Sequence, residues 1–95
     1  MPAYLIADMD ASDPARYEEY KRLAPPAIEK YGGRYLARGG RTEVLEGEWS
    51  PKRFVIVEFE SMEKVKAFFD SPEYRAARKA REGAGVFRML AVEGL

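Results

Sequence analysis

The clearest alternation of apolar and polar residues lies at the start of the chain, from Ala3 to Asp10. Successive side chains of a strand point to opposite faces of a sheet, so this pattern predicts a first strand with two unlike faces. One face carries Leu5, Ala7 and Met9, and the other carries Tyr4, Ile6, Asp8 and Asp10.

A helical period follows this strand. Asp13-Pro14 combines an N-cap residue with a proline at the first helical position, where the missing N–H costs nothing. Pro25-Pro26 lies further on, and because proline clashes with the preceding turn, the sequence predicts a kink or two short helices there. Gly32-Gly33 is expected to end the helix. The apolar stripe at helical spacing consists of Tyr17, Tyr20, Ala24, Ile28 and Tyr31.

The rest of the chain predicts further strands and two more helices, the latter beginning at the cap residues Ser61 and Ser71. Ser71-Pro72 repeats the combination of cap and proline. A turn or bulge at Gly39-Gly40 divides the second strand. The predicted strands are Arg34 to Arg38 with a continuation over Thr42 to Trp49, then Arg53 to Phe59, and finally Val86 to Glu93.

The order strand, helix, strand, strand, helix, strand predicts an α+β ferredoxin-like βαββαβ plait in one domain spanning residues 1–95. Helices then cover one face of an antiparallel sheet and leave the other face open. A second copy of the chain, packed sheet on sheet, is the simplest cover for that face. We therefore expect a homodimer through the sheet face, which is a dimeric α+β barrel.

Composition narrows the classes of function. Lys and Arg number 16 and so do Asp and Glu, and a net charge of zero argues against sequence-independent nucleic-acid binding. No apolar run is long enough to span a bilayer, so we expect no membrane and a cytoplasmic location. The chain has no Cys and no His, which excludes disulfides, thiolate or imidazole metal ligands, and nucleophiles paired with histidine. We expect no cofactor.

A further property of the composition is the absence of Asn and Gln as well as Cys. These are most of the thermolabile side chains, and charged residues make up 34% of the chain. This combination is enriched in proteins from hot environments, so the sequence predicts a thermophilic source.

Five segments along the chain form a recognisable set: YGGRYLARGG (31–40), LEGEW (45–49), RFVIVEF (53–59), FFDSPEYRAARKAREGAG (68–85) and VEG (92–94). They resemble the DUF1330 family, small bacterial proteins of the dimeric α+β barrel superfamily. They cover nearly the whole chain in the same order, although Pro26 beside Pro25 departs from the pattern. The resemblance implies the fold and a homodimer, and it implies no established reaction. Cofactor-free monooxygenases in the wider superfamily are an analogy of fold alone.

The first candidate site joins the third strand to the last helix. Tyr74, Arg78 and Arg81 are spaced at i, i+4 and i+7 and so share one helical stripe. Glu58 alternates with apolar residues on its strand, and a carboxylate in such a place needs a partner, for which arginine is suited. The cluster is either a pocket in which arginine holds an anion, or an ion pair that braces the fold.

The second candidate is Arg38 with Gly39-Gly40, where glycine lets backbone approach a ligand closely. The alternative is a bulge with a salt bridge from Arg38 to Glu46, and Trp49 is expected at a dimer contact. Asp8 and Asp10 supply only two oxygen ligands, which do not make a magnesium site. The stripe tyrosines are expected to be core packing.

Three functions remain open from the sequence. The first is a small soluble protein that binds a small anionic organic molecule. The second is a cofactor-independent enzyme of the monooxygenase or isomerase type, which would work with carboxylate, tyrosine and arginine. The third is a purely structural dimerisation module.

Overall fold

The computed structural model describes residues 1–95 and contains four strands and three helices. The strands are β1 (Ala3–Ala11), β2 (Arg34–Arg38), β3 (Phe54–Phe59) and β4 (Gly85–Glu93). The helices are α1 (Pro14–Lys30), α2 (Met62–Phe69) and α3 (Pro72–Ala80). None of the three helices has the length and apolarity that a membrane span requires.

The strands form one antiparallel sheet in the order β2-β3-β1-β4. The two central strands, β3 and β1, therefore come from different halves of the chain, as the ferredoxin-like plait requires. The predicted fold is confirmed, with the second crossover made by two consecutive helices, α2 and α3. Leu36 forms a bulge between β2 and β3, where the pairing register shifts.

Each helix begins at the residue that the sequence predicts. Asp13, Ser61 and Ser71 are the N-caps, and their side chains accept hydrogen bonds from the backbone N–H three residues further on. Such bonds satisfy backbone donors that lie too early in the helix to find a partner within it. These caps fix where α1 and α3 start relative to the sheet.

The core lies between the sheet and the three helices. From β1 the buried side chains are Ala3, Leu5, Ala7 and Met9, and from β3 they are Val57 and Phe59. Tyr74 and Phe68 are fully buried beneath α3 and α2, and their ring centroids are 4.2 Å apart. This core fixes the face of the sheet on which any internal cavity must lie.

Helix α1 continues through Pro25 and Pro26 as one helix of 17 residues. Of the two predicted outcomes, a kink or two short helices, the second is therefore wrong. Each proline removes one backbone hydrogen bond, but Ala24, Ala27 and Ile28 on either side are buried in the core and hold the helical path.

Residues 42–49 form no strand, so the predicted continuation of β2 is wrong. Gly39 has φ +70°, a left-handed conformation that turns the chain out of the sheet beyond Arg38. The chain then crosses to Phe54 without regular structure and leaves Leu45 93% exposed. We call residues 39–53 the crossing loop.

The second face of the sheet carries no helix. Ile6 pairs with Ile56 on one side and with Leu90 on the other, so three aliphatic side chains form a row across it. Tyr4, Phe54, Val86 and Val92 share this face with them by alternation. We call it the open face.

Candidate ligand-binding site

A cavity of about 280 Å³ lies between α1 and the helix-covered face of the sheet. Most of its lining is apolar or aromatic, which is usual for sites that hold small organic molecules. Its walls include Leu5, Met9, Ala24, Ile28, Val55, Val57, Phe68 and Met89.

Three cations line the more exposed part of this cavity, and we call Lys21, Arg38 and Arg53 the cationic rim. No Asp or Glu is among the lining residues. Lys21 has a partner, because its ammonium nitrogen lies 2.7 Å from the Glu18 carboxylate. Neither Arg38 nor Arg53 forms a salt bridge. The cavity is thus locally cationic in a chain with no net charge.

Arg38 is the last residue of β2 and is held by an aromatic ring. Its guanidinium carbon lies 4.4 Å from the centroid of the Tyr35 ring, which also lines the cavity. Burial raises the pKa of Tyr35, and the neighbouring guanidinium opposes that rise. The Tyr35 hydroxyl therefore stays protonated at neutral pH, while the Arg38 donors remain free of any carboxylate.

Arg53 reaches the cavity from the other end of the crossing loop. Its guanidinium occupies the space beside Gly39, where a side-chain Cβ would collide with it. Its Nε is buried and has no hydrogen-bond partner. Burial raises the pKa of Tyr17, and the nearby Arg53 charge opposes that rise. An unpaired buried donor is costly, so an acceptor placed here would gain a strong interaction.

Two buried tyrosines line the same cavity, and we call Tyr20 and Tyr74 the tyrosine pair. Their hydroxyl oxygens are 2.7 Å apart, which is a hydrogen bond. The Tyr74 hydroxyl also lies 3.9 Å from the sulfur of Met89. Burial, followed by the hydroxyl of Tyr74, raises the pKa of Tyr20 far above its ordinary value. The Tyr20 hydroxyl therefore stays protonated and does not act as an ionised base.

The predicted cluster on α3 separates into two parts. Tyr74 lines the cavity, while Arg78 and Arg81 do not. The Arg78 guanidinium lies 4.0 Å from the Phe69 ring centroid and donates to the Phe69 carbonyl at 2.9 Å. Arg81 lies over the rings of Tyr20 and Phe87, at 4.9 and 4.3 Å from their centroids. Both arginines brace aromatic rings.

The structure does not bring Glu58 to these residues. Glu58 lies on the open face, because Val57 and Phe59 take the core positions of β3. Its carboxylate accepts a hydrogen bond of 2.7 Å from Arg34 on the neighbouring strand. The predicted need for an arginine partner is met, but by a different arginine on the other side of the sheet.

The other sequence candidates also have definite places. Arg38 does not form the salt bridge with Glu46, because the crossing loop is not a strand beside β2. Trp49 is 58% exposed and meets Phe54 edge to face, with ring centroids 5.7 Å apart. Asp8 accepts a hydrogen bond of 2.9 Å from the backbone N–H of Lys52, so it fixes the end of the crossing loop.

Sequence reasoning missed Arg53, and it assigned Tyr17 and Tyr20 to packing alone. No motif marks Arg53, which sits between a turn and a strand. The helical stripe correctly predicted that the tyrosines face the sheet. Their hydroxyls were the available signal, since a buried hydroxyl needs a partner inside the protein.

The fold and this cavity define a small ferredoxin-like α+β protein with a cationic and aromatic pocket between α1 and the sheet. Residues 2–95 match the family model described as "Domain of unknown function (DUF1330)". The chain therefore belongs to the DUF1330 family. No curated protein matches it significantly.

Solved structures show the same fold. A protein of unknown function from Rhodopseudomonas palustris is 22% identical, with a TM-score of 0.79, and the match covers 99% of this chain and 82% of that one. A dimeric ferredoxin-like protein of unknown function from Bacteroides fragilis is 16% identical, with a TM-score of 0.67 and coverages of 98% and 96%. A cofactor-independent oxygenase from Streptomyces nogalater is 8% identical, with a TM-score of 0.61 and coverages of 99% and 92%. At these identities the similarity shows the fold alone.

Proposed function

We propose that this protein binds a small organic anion in the cavity between α1 and the sheet. The observation that carries the proposal is the charge of the lining, which has three cations and no acid. Lining cations without carboxylate partners repel one another, and an anion relieves that repulsion. The apolar walls then exclude charge from the rest of the cavity, so the ligand needs an apolar body.

Within the cationic rim, the two arginines support the proposed anion site more strongly than Lys21 does. Arg38 and Arg53 lack salt bridges, and the buried Nε of Arg53 lacks any partner. A carboxylate would accept hydrogen bonds from these guanidinium groups, and such charge-assisted bonds are stronger than neutral ones. The stacking of Arg38 on Tyr35 holds one of these donors in place before a ligand arrives.

The proposal can be tested with two probes of the same shape. Benzoate carries the negative charge, and benzamide replaces it with a neutral amide. We expect benzoate to raise the melting temperature and to bind at least tenfold more tightly than benzamide in calorimetry. Arg53→Met should remove most of this preference, whereas Arg75→Met, on the exposed surface of α3, should keep it. Equal binding of the two probes, or no binding by benzoate, would contradict the proposal.

A second candidate function is enzymatic, and the tyrosine pair is the observation that favours it. Two hydroxyl donors in a cavity can stabilise an enolate oxygen by hydrogen bonding, as buried donors do in oxyanion holes. No carboxylate or histidine lines the cavity, so the substrate would have to lose its proton without a conventional protein base. Oxygen uptake with an easily ionised hydroquinone carboxylate would support this function, and a probe recovered unchanged would exclude it for that substrate.

We also propose that two copies pair through the open face. Similar structures from Bacteroides fragilis and from Jannaschia are described as dimeric ferredoxin-like proteins. On the open face of this chain, Leu90 is 58% exposed and Val86 is 57% exposed, beside the central strand β1. A sheet face of this kind favours a second apolar sheet as its cover.

Light scattering at micromolar concentration tests the pairing. We expect the mass of a dimer for the wild-type chain and that of a monomer for Leu90→Lys, which places a charge on the open face beside Ile6. Ala76→Lys puts the same side chain on the exposed side of α3 and should leave the dimer intact. A monomeric wild-type protein would contradict the proposed pairing.

A cytoplasmic location and a thermophilic source stay proposals, supported by the sequence features described above. A melting temperature within about 45–65 °C, the range of ordinary mesophilic domains, would contradict the thermophilic source.

A further inference from the structure

The cavity carries polar groups of two kinds, and each kind has an unused hydrogen-bond donor. On the rim, the buried Nε of Arg53 has no partner. Among the buried lining residues, the tyrosine pair has two hydroxyl protons and only one oxygen-to-oxygen hydrogen bond. The pair therefore has one proton left over, whichever tyrosine donates to the other.

The leftover proton has no good acceptor within the protein. If Tyr20 donates to Tyr74, the Tyr74 proton meets only the thioether sulfur of Met89, at 3.9 Å. A thioether is a weak acceptor. If Tyr74 donates to Tyr20, the Tyr20 proton has no other hydrogen bond. A buried hydroxyl without an oxygen or nitrogen acceptor is unfavourable, and a ligand atom that accepts the proton would remove this penalty.

The surroundings of the pair keep these hydroxyls in place. Arg81 lies over the Tyr20 ring, 4.9 Å from its centroid, and does not line the cavity. The Tyr17 ring stacks against Tyr20 with centroids 5.8 Å apart and an interplanar angle of 12°. Tyr74 is fully buried between Phe68 and Phe69, whose centroids lie 4.2 and 5.9 Å away. Rings held on several sides present their hydroxyls at a fixed position, which favours recognition of one ligand geometry.

We propose that the ligand is a carboxylate with a second oxygen at its far end, carried on an apolar body. The carboxylate binds the cationic rim and the second oxygen accepts the spare proton of the tyrosine pair. This inference rests on the proposed function for the carboxylate end of the ligand. It adds a hydroxyl, ether or carbonyl oxygen at the opposite end of the ligand. The cavity of about 280 Å³ has room for a single ring with two such substituents.

Three probes of equal shape separate the two ends. Para-hydroxybenzoate has both the charge and the second oxygen. Para-methylbenzoate keeps the charge and replaces the hydroxyl with a methyl group. Para-hydroxybenzamide keeps the hydroxyl and loses the charge. We expect para-hydroxybenzoate to bind at least about fivefold more tightly than para-methylbenzoate, because one hydrogen bond contributes about that factor. We expect it to bind at least tenfold more tightly than para-hydroxybenzamide.

The variant that tests the tyrosine pair is the double change Tyr20→Phe with Tyr74→Phe. Either single change leaves one hydroxyl whose proton can still reach the ligand. Removing both partners of a buried hydrogen bond with groups of the same shape is nearly neutral for folding, so the double variant should remain folded. Tyr31→Phe is the matched control, because the Tyr31 hydroxyl bonds Glu73 and does not line the cavity.

The outcomes distinguish this inference from the proposed function. In the double variant para-hydroxybenzoate and para-methylbenzoate should bind equally well, while Tyr31→Phe keeps the wild-type preference. If both acids bind the wild-type protein equally and more tightly than the amide, the second-oxygen inference is overturned and anion binding stands. If the amide binds as tightly as para-hydroxybenzoate, or if neither acid binds, the proposed function is overturned and this inference with it.

Discussion

The hydroxyl oxygens of Tyr20 and Tyr74 lie 2.7 Å apart, although 54 positions separate the two residues in the chain. Tyr20 belongs to α1 and Tyr74 to α3, so this hydrogen bond joins the two crossovers of the plait above the sheet. Their rings also meet nearly edge to face, with centroids 6.1 Å apart. The same contact thus braces the fold and presents a polar group to the cavity.

Tyr74→Phe should lower the free energy of unfolding by about 1 kcal/mol, because it leaves the Tyr20 hydroxyl buried with no partner. Tyr20→Phe should cost a similar amount for the same reason. The double variant should cost less than the sum of the two, since no unpaired hydroxyl then remains. Urea denaturation of the four proteins measures this coupling, and strictly additive costs would show that the two hydroxyls do not interact.

Stability should fall in alkaline solution. Burial raises the pKa of Tyr17, Tyr20 and Tyr35 in the folded protein, whereas a tyrosine in the unfolded chain ionises at about pH 10. Above that pH the folded state holds more protons than the unfolded state, so the free energy of unfolding decreases as pH rises. Tyr20→Phe should reduce the slope by up to about 1.4 kcal/mol per pH unit. Urea unfolding between about pH 9 and pH 11 checks this, and an unchanged slope in the variant would contradict it.

Gly39→Ala should weaken benzoate binding several-fold. The added Cβ would collide with the Arg53 guanidinium, and the φ of +70° at this position strains any residue with a side chain. The Arg53 guanidinium must then shift from its present position on the cationic rim. Gly40→Ala is the matched control, because a Cβ there meets nothing within 4 Å. Calorimetric titration of both variants checks the prediction, which equal affinities would contradict.

Arg81→Met should destabilise the protein by about 1–2 kcal/mol while leaving the affinity for benzoate close to that of the wild type. Arg81 lies over the rings of Tyr20 and Phe87, and cation–π contacts that are partly shielded from water contribute about this much. It does not line the cavity. Urea denaturation gives the stability and calorimetry gives the affinity. A large loss of benzoate affinity in a folded Arg81→Met variant would contradict this prediction and show that Arg81 contributes to binding.

The sequence predicted the element order and the helix starts because both follow from local chemistry. Asp13 and Ser71, each followed by proline, mark helix N-termini with no reference to the rest of the fold. The path of α1 through Pro25 was not predictable in this way, since the packing of Ala24 and Ile28 against the sheet outweighs the lost hydrogen bonds.

The candidate site was only partly predictable for the same reason. Tyr74 and Arg38 were found from local motifs, and both line the cavity. Glu58 was misplaced because both faces of β3 are apolar, so alternation alone does not say which one the helices cover. Arg53 enters the site only because Gly39, from the preceding strand end, leaves room for its guanidinium. That juxtaposition exists only in the folded chain.

The position of a bound anion tests the central claim most directly. A crystal of the protein soaked with para-bromobenzoate would locate the bromine by its anomalous scattering. We predict one bromine site inside the cavity between α1 and the sheet, with the carboxylate within hydrogen-bonding distance of Arg38 or Arg53. Bromine sites confined to the open face or to the outer helix surfaces, with the cavity unoccupied by the probe, would contradict the claim that this cavity binds an organic anion.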